Sequence, residues 1–183
     1  EVAGAPLVAN PGCYSTCVIT AAAPLVRHAL IDGDIVAVAA SGVTGAGRSK
    51  DEALSLGELH DNVRAYKVLR HQHVPEIEMA LGRVASGPAP KVILTTQLLP
   101  IARGIFATLT VRLREPASSA ELTERMRADY AGDPTVVVWP SPEDVSLRRV
   151  VGTNQCHVGV AAAGDVAVVT AALDNLLKGA SGQ

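Results

Sequence analysis

Residues 155–173 read QCHVGVAAAGDVAVVTAAL. Two apolar runs, Gln155 to Ala163 and Val166 to Leu173, are joined by Gly164-Asp165 alone. A link that short folds the chain back as an antiparallel hairpin. Upstream, Gly104 to Arg114 alternates cleanly, so that Ile105, Ala107, Leu109, Val111 and Leu113 share one face of a strand. Lys91 to Leu98 is a further strand, and with Gly104 to Arg114 it makes a second hairpin-like pair. Between the pairs, Ser118 to Ala131 reads as an amphipathic helix opened by the capping signal Ser118-Ser119-Ala120-Glu121. Thr135 to Trp139 is a short strand.

The first half interleaves the same kinds of element. Tyr14 to Leu30 predicts a helix, with Pro24 expected to kink or break it. Asp34 to Ser41 is a strand and Gly42 to Gly47 a Gly-rich loop. Asp51 to Leu59 reads as a short helix and Val63 to Leu69 as extended. Pro75 to Val84 reads as a helix with Pro75 and Glu76 in its first turn. Asn175 to Lys178 is expected to begin a last helix. The resulting fold class is α+β, a mixed, largely antiparallel sheet with helices packed on one face.

The 183 residues suffice for one domain, and 48% are hydrophobic, so a sizeable core is available. A net charge of −2 argues against nucleic acid and against an anionic membrane surface, since both need a basic face. Only 3% of residues are aromatic, which gives base stacking little support. No apolar run approaches membrane-spanning length. Three cysteines make no disulfide framework, so a reducing, cytoplasmic setting is expected. The chain opens on Glu1 without a signal-peptide pattern, as a piece of a longer protein would.

Five places carry chemistry. In Asn10-Pro11-Gly12-Cys13-Tyr14-Ser15, a thiol stands at a turn opening a long helix. Unpaired amides and the helix dipole there favour a thiolate, which makes Cys13 the candidate nucleophile. Cys17 and Cys156 read as buried small hydrophobes. In His71-Gln72-His73-Val74-Pro75-Glu76, two histidines can exchange protons with a thiol, and Glu76 either orients an imidazole or serves the helix as a first-turn acid. A zinc site joining Cys13, Cys17, His71 and His73 is disfavoured by spacing, and no metal is expected. His28, His60 and His157 read as structural or surface residues.

The loop Gly42-Val43-Thr44-Gly45-Ala46-Gly47-Arg48-Ser49 nearly matches a phosphate-binding loop, with Arg48 in place of the lysine. It either cradles a phosphate or forms a tight turn. A G-x-G-x-x-G dinucleotide fingerprint is missing. Arg103 precedes a strand and either clamps an anion or forms a rim salt bridge. Asn175 is a cap or a ligand contact.

Taken in order, VANPGCYST around Cys13, SGVTGAGR at Ser41 to Arg48, HQHVPEI at His71 to Ile77, LLPIARGI at Leu98 to Ile105 and the terminal DNLLKGASGQ resemble the N-acetyl-gamma-glutamyl-phosphate reductases. The resemblance covers the whole chain but only that family's catalytic and dimerisation half. It implies a fold like the C-terminal domain of glyceraldehyde-3-phosphate dehydrogenase. Residues 1–183 would be one domain, with an NADP-binding Rossmann half preceding it. It also implies NADPH-dependent reduction of N-acetyl-gamma-glutamyl phosphate through a thioacyl enzyme on Cys13, in arginine biosynthesis.

Under that resemblance His73 is preferred as the acid/base, with His71 nearby and Glu76 orienting. Ser41, Gly42, Gly45 and Asn175 would meet the cofactor. Arg103, Arg48 and Asn10 would meet the substrate. A homo-oligomer, dimer or tetramer, is implied, and the chain alone is expected to be inactive. Three positions depart from the family pattern: Ser15, where Pro or Ala is frequent; Cys17, where Gly or Ala is usual; and Gln72, where an Arg often stands. Losing that Arg would remove a cation beside the site. A reductase of carrier-protein-bound aminoadipyl or glutamyl phosphate in lysine biosynthesis is the main rival within the family. A P-loop nucleotide hydrolase and a non-catalytic assembly domain are the rivals outside it.

Overall fold

The computed structural model describes residues 3–46 and 56–182. Seven strands form one mixed sheet: β1 Ile31–Ser41, β2 Arg64–Tyr66, β3 Val92–Leu98, β4 Ile105–Leu113, β5 Val136–Val138, β6 Cys156–Ala163 and β7 Val166–Leu173. Their spatial order is β2-β3-β1-β4-β7-β6-β5. Four neighbouring pairs are antiparallel, while β1/β3 and β5/β6 are parallel. The hairpin of β6 and β7 forms as expected, with Ala163 opposite Val166. The other expected pair does not form. β3 and β4 lie on either side of β1, which hydrogen-bonds to both.

The alternation in β4 sets the layers. Ile105, Ala107, Leu109, Val111 and Leu113 are all buried on one face, beneath helix α1, Cys13–Arg27. Helices α2, Val74–Val84, and α3, Ser119–Asp129, join α1 on that face. Ser118 caps α3 reciprocally: its Oγ accepts from Glu121 N–H at 3.2 Å, and Glu121 Oε2 accepts from Ser118 N–H at 2.7 Å. One short helix departs from the one-face arrangement. In α4, Leu147–Val150, Val150 and Leu147 pack with Phe106 and Ala172, whose side chains project from the opposite face of the sheet.

Pro24 does not end α1, which runs on to Arg27. A proline at 24 leaves the Thr20 carbonyl without its usual N–H donor. The Tyr130 hydroxyl donates to that carbonyl at 2.6 Å and takes the donor's place. The expected helix at Asn175 is instead a run of turns. Asp174 Oδ1 accepts from Leu176 N–H at 2.8 Å, and the Asp174 carbonyl accepts from both Leu177 and Gly179. These bonds fold the segment tightly before a helical ladder can start. Of the expected helix at Asp51 to Leu59, residues 51–55 lie outside the described residues, and 56–59 are turns.

Candidate active site

The thiol of Cys13 opens α1, at the end of the helix that faces α2. Gly12 is the N-cap and offers no capping side chain. The missing acceptor comes from α2. Glu76 Oε1 accepts from Gly12 N–H at 2.9 Å, and Glu76 Oε2 accepts from Ser15 Oγ at 2.7 Å. Glu76 therefore ties the two helix starts together. Among the described residues no hydrogen bond joins it to an imidazole, and its bonds are those of the first-turn acid, the other reading of Glu76.

Gly12 is where His73 approaches. A Cβ built on Gly12 would lie 2.1 Å from His73 Nε2 and 2.4 Å from Cε1. Only a residue without a side chain lets the ring sit there, next to Cys13. His73 is itself the N-cap of α2. Its Nδ1 is buried with no hydrogen-bond partner among the described residues. The backbone N–H of His73 donates to His71 Nδ1 at 3.2 Å. That bond requires an unprotonated Nδ1 on His71 and leaves the neutral ring's proton on Nε2.

His71 is buried edge-on to Tyr14, Tyr66 and His73, with ring centroids 5.2, 5.8 and 4.6 Å away. Burial, helped by the charges of His73 and Lys67, pulls its pKa down to about 4. Burial also lowers His73, with Glu76 opposing and Lys67 assisting. His71 is held neutral by burial, and His73 places Nε2 against Gly12, the residue before Cys13.

Burial pushes the Cys13 thiol above its ordinary value. The N–H groups of Tyr14 and of Cys13 itself pull the other way, as expected for a helix start, but they do not win. The Glu76 charge adds to the upward push. The lowered thiol pKa expected from the sequence is therefore not found, and forming a thiolate needs a proton acceptor. Cys17 and Cys156 are fully buried. They are paired thiol to thiol, and this pairing together with burial holds Cys17 neutral. Cys13 is the accessible thiol of the three.

The Gly-rich loop lies on the other side. Its amides are engaged within the protein: Gly42 with Gly104 O at 2.9 Å, Val43 with Ile101 O at 3.0 Å, Thr44 with Ala102 O at 3.2 Å and Gly45 with Gly42 O at 3.2 Å. The phosphate-cradle expectation fails for these four amides. Gly42 lacks a side chain because the backbone of Ala102 and Arg103 lies 2.7 Å from where a Cβ would be. Arg48 lies outside the described residues.

Asn175 is buried and holds the loop to β4, accepting from Gly104 N–H at 2.6 Å and donating to Thr44 Oγ1 at 3.1 Å. Ser41 Oγ donates to the Gly42 carbonyl at 2.9 Å. Arg103 Nη2 pairs with the fully buried Asp174 at 3.0 Å. Gly152 N–H, at 2.7 Å, also donates to that carboxylate. This is the ion-pair alternative for Arg103, although its buried Nε has no partner among the described residues. Asn10 Nδ2 is occupied by the Ala180 carbonyl at 2.7 Å. Gln72 is exposed and accepts from Lys67 Nζ at 2.9 Å. Lys67 thereby brings a cation near the histidines even without an Arg at position 72.

One residue unforeseen in the sequence joins the two halves of the site. A Cβ at Gly179 would lie 2.8 Å from Cys13 Cβ and 2.8 Å from Asn175 Cα. The terminal turn therefore packs directly on the thiol residue. The bare Gly179 after the Asp174-Asn175 pair was the available signal.

The family described as semialdehyde dehydrogenase, dimerisation domain, matches residues 13–175. N-acetyl-gamma-glutamyl-phosphate reductase from Pelotomaculum thermopropionicum is 44% identical over 100% of this chain and 53% of its own length. The protein of that name from Chlorobaculum tepidum is 40% identical over 100% of this chain and 54% of its own. The chain thus spans about half the length of the curated relatives it matches. Among solved structures, aspartate semialdehyde dehydrogenase II from Vibrio cholerae superposes with TM-score 0.71 at 17% identity, over 94% of this chain and 58% of that one. The Francisella tularensis aspartate semialdehyde dehydrogenase gives 0.70 at 17% identity, over 93% and 60%. These likenesses establish the fold. The chain belongs to the semialdehyde dehydrogenase family, whose dimerisation domain it carries, and along its whole length it is similar to the N-acetyl-gamma-glutamyl-phosphate reductases.

Proposed function

We propose that this chain is the catalytic and dimerisation half of an NADPH-dependent reductase of N-acetyl-gamma-glutamyl phosphate, an enzyme of arginine biosynthesis. The observation that carries the reading is the His73 imidazole seated on bare Gly12, beside the accessible thiol at the start of α1. His73 takes the Cys13 proton. The thiolate attacks the acyl carbon, the carbon–oxygen bond to phosphate breaks, and inorganic phosphate leaves a thioacyl enzyme. The amides of the first turn hold the sulfur when it is anionic. When the reduced acyl group departs as the aldehyde, the sulfur–carbon bond breaks and His73 can return the proton to sulfur.

The chain's residues fit only one end of the cofactor. The engaged amides of residues 42–45 leave no donors there for phosphates. The exposed Gly45, near Asn175 and hence near the Gly179–Cys13 contact, gives a small-residue surface for a nicotinamide. Ser41, Gly42, Gly45 and Asn175 would border it. NADPH, when bound, supplies the hydride for the acyl carbon. Arg103, whose side chain is part exposed, and Asn10 remain on the substrate side of this reading.

An apolar outer face, with Val36, Val38 and Ile93 exposed, supports pairing with a second copy. No described helix is long and apolar enough to cross a membrane. The test is an assay of the whole protein in the reverse direction, with N-acetylglutamate semialdehyde, NADP and phosphate. NADPH formation, abolished by Cys13→Ser, is expected. Turnover only with a carrier-bound aminoadipyl or glutamyl semialdehyde would move the assignment to the lysine-pathway relative. Full activity in Cys13→Ser would refute it.

A further inference from the structure

We propose that Ser15 is a positioning residue: its hydroxyl, together with Gly12 N–H, holds both oxygens of Glu76 on the first turn of α1 and so keeps that carboxylate off the Cys13–His73 pair. The inference rests on reading Cys13 as nucleophile and His73 as its proton partner. Ser15 is fully buried, and its Oγ reaches Glu76 Oε2 at 2.7 Å while Gly12 N–H takes Oε1 at 2.9 Å. Glu76 is the acid whose charge acts on both members of the pair. The buried, unpartnered Nδ1 of His73 is an open hydrogen-bonding site for a carboxylate released nearby.

The other titratable groups around the pair are Lys67, His71, Tyr14, Tyr66 and Cys17. Among the described residues, none of them hydrogen-bonds to Glu76. Two donors on the carboxylate disperse its charge. With one donor removed, its field on sulfur and imidazole grows, and the thiolate becomes harder to form.

The test is the pH dependence of iodoacetamide alkylation, which reads Cys13 because the other two thiols are buried. Ser15→Ala is expected to move the midpoint up by about 0.5 to 1 pH unit and to slow labelling at neutral pH several-fold. Ser15→Thr, which keeps the hydroxyl, restores the wild-type profile. Glu76→Gln moves the midpoint down, and in that background Ser15→Ala adds nothing further. An unchanged midpoint in Ser15→Ala with lowered thermal stability overturns the proposal, as does an equal shift in the Glu76→Gln background. Should Ser15→Ala not fold, Glu76→Gln decides, and a midpoint that stays put is the overturning result. Alkylation needs no substrate. Failure of the reductase assay would therefore sink the assigned reaction and leave this inference standing.

Discussion

Replacing Gly12 with alanine adds one methyl group where the structure has an imidazole. The new Cβ would lie 2.1 Å from His73 Nε2, 2.4 Å from Cε1 and 2.7 Å from Cδ2. Ordinary carbon contacts begin near ~3.5 Å, so the ring must retreat by roughly 1 Å or more. The backbone has no objection to alanine: Gly12 sits at φ −70°, ψ 158°, open to any residue. The fold should therefore survive, and a modest gain of about 0.4–1 kcal/mol from reduced unfolded-state freedom is available to offset local crowding. Catalysis should not survive so well. A misplacement of ~1 Å between reacting groups can lower turnover by ~10²-fold, equivalent to about 2.7 kcal/mol of barrier. The assay is kcat of the whole protein alongside thermal melting of Gly12→Ala. Wild-type turnover with an unchanged melting temperature would refute the claim that bare Gly12 seats the acid/base.

Iodoacetamide should modify Cys13 in the folded protein well before Cys17 or Cys156, as peptide mapping would show; equal labelling of all three would contradict the burial described. His71 is held neutral, its pKa drawn from 6.5 to about 4 by burial, so the unfolded chain binds more protons between those values. Stability is complete above pH 6.5 and should decline as pH falls toward 4, by about 3 kcal/mol. His71→Gln should flatten that part of a stability–pH curve. Tyr130→Phe should cost about 1–2 kcal/mol by orphaning the Thr20 carbonyl. Pro24→Ala restores the helical donor, so the double variant should lose less than Tyr130→Phe alone in denaturant titration.

Local pattern carried much of the architecture. The alternation of Ile105 to Leu113, the capping signal at Ser118 and the Gly164-Asp165 turn each depend on residues close in sequence, and each is found where expected. Three of the misreadings come from a partner far along the chain, whereas the helix expected at Asn175 is displaced by local bonds to Asp174. β3 and β4 looked like a pair because they are consecutive, whereas β1 lies between them. Pro24 looked like a helix breaker because Tyr130 is 106 residues downstream. The glycines of residues 42–45 suggested room for a phosphate, but Gly42 is bare because the backbone of residues 102–103 occupies that space.

At the site, Cys13, His71, His73 and Glu76 were legible as a group, and they do come together. The direction of the thiol shift was not legible. Helix-start amides are visible in sequence, whereas the burial that outweighs them is a property of the packed site. Gly179 and the Ser15–Glu76 bond escaped for the same reason.

The central place of β1 also governs how the chain can assemble. Both of its neighbours, β3 and β4, lie downstream, and its hydrogen-bonding edges cannot close until residues as far as Leu113 have been made. During synthesis, the eleven residues of β1 can meet β3 only after more than fifty others leave the ribosome, and β4 only after more than seventy. Such delayed, long-range pairing slows folding and exposes a sticky edge meanwhile. Growth temperature and chaperone supply should therefore matter more to the soluble yield of this domain than surface composition does.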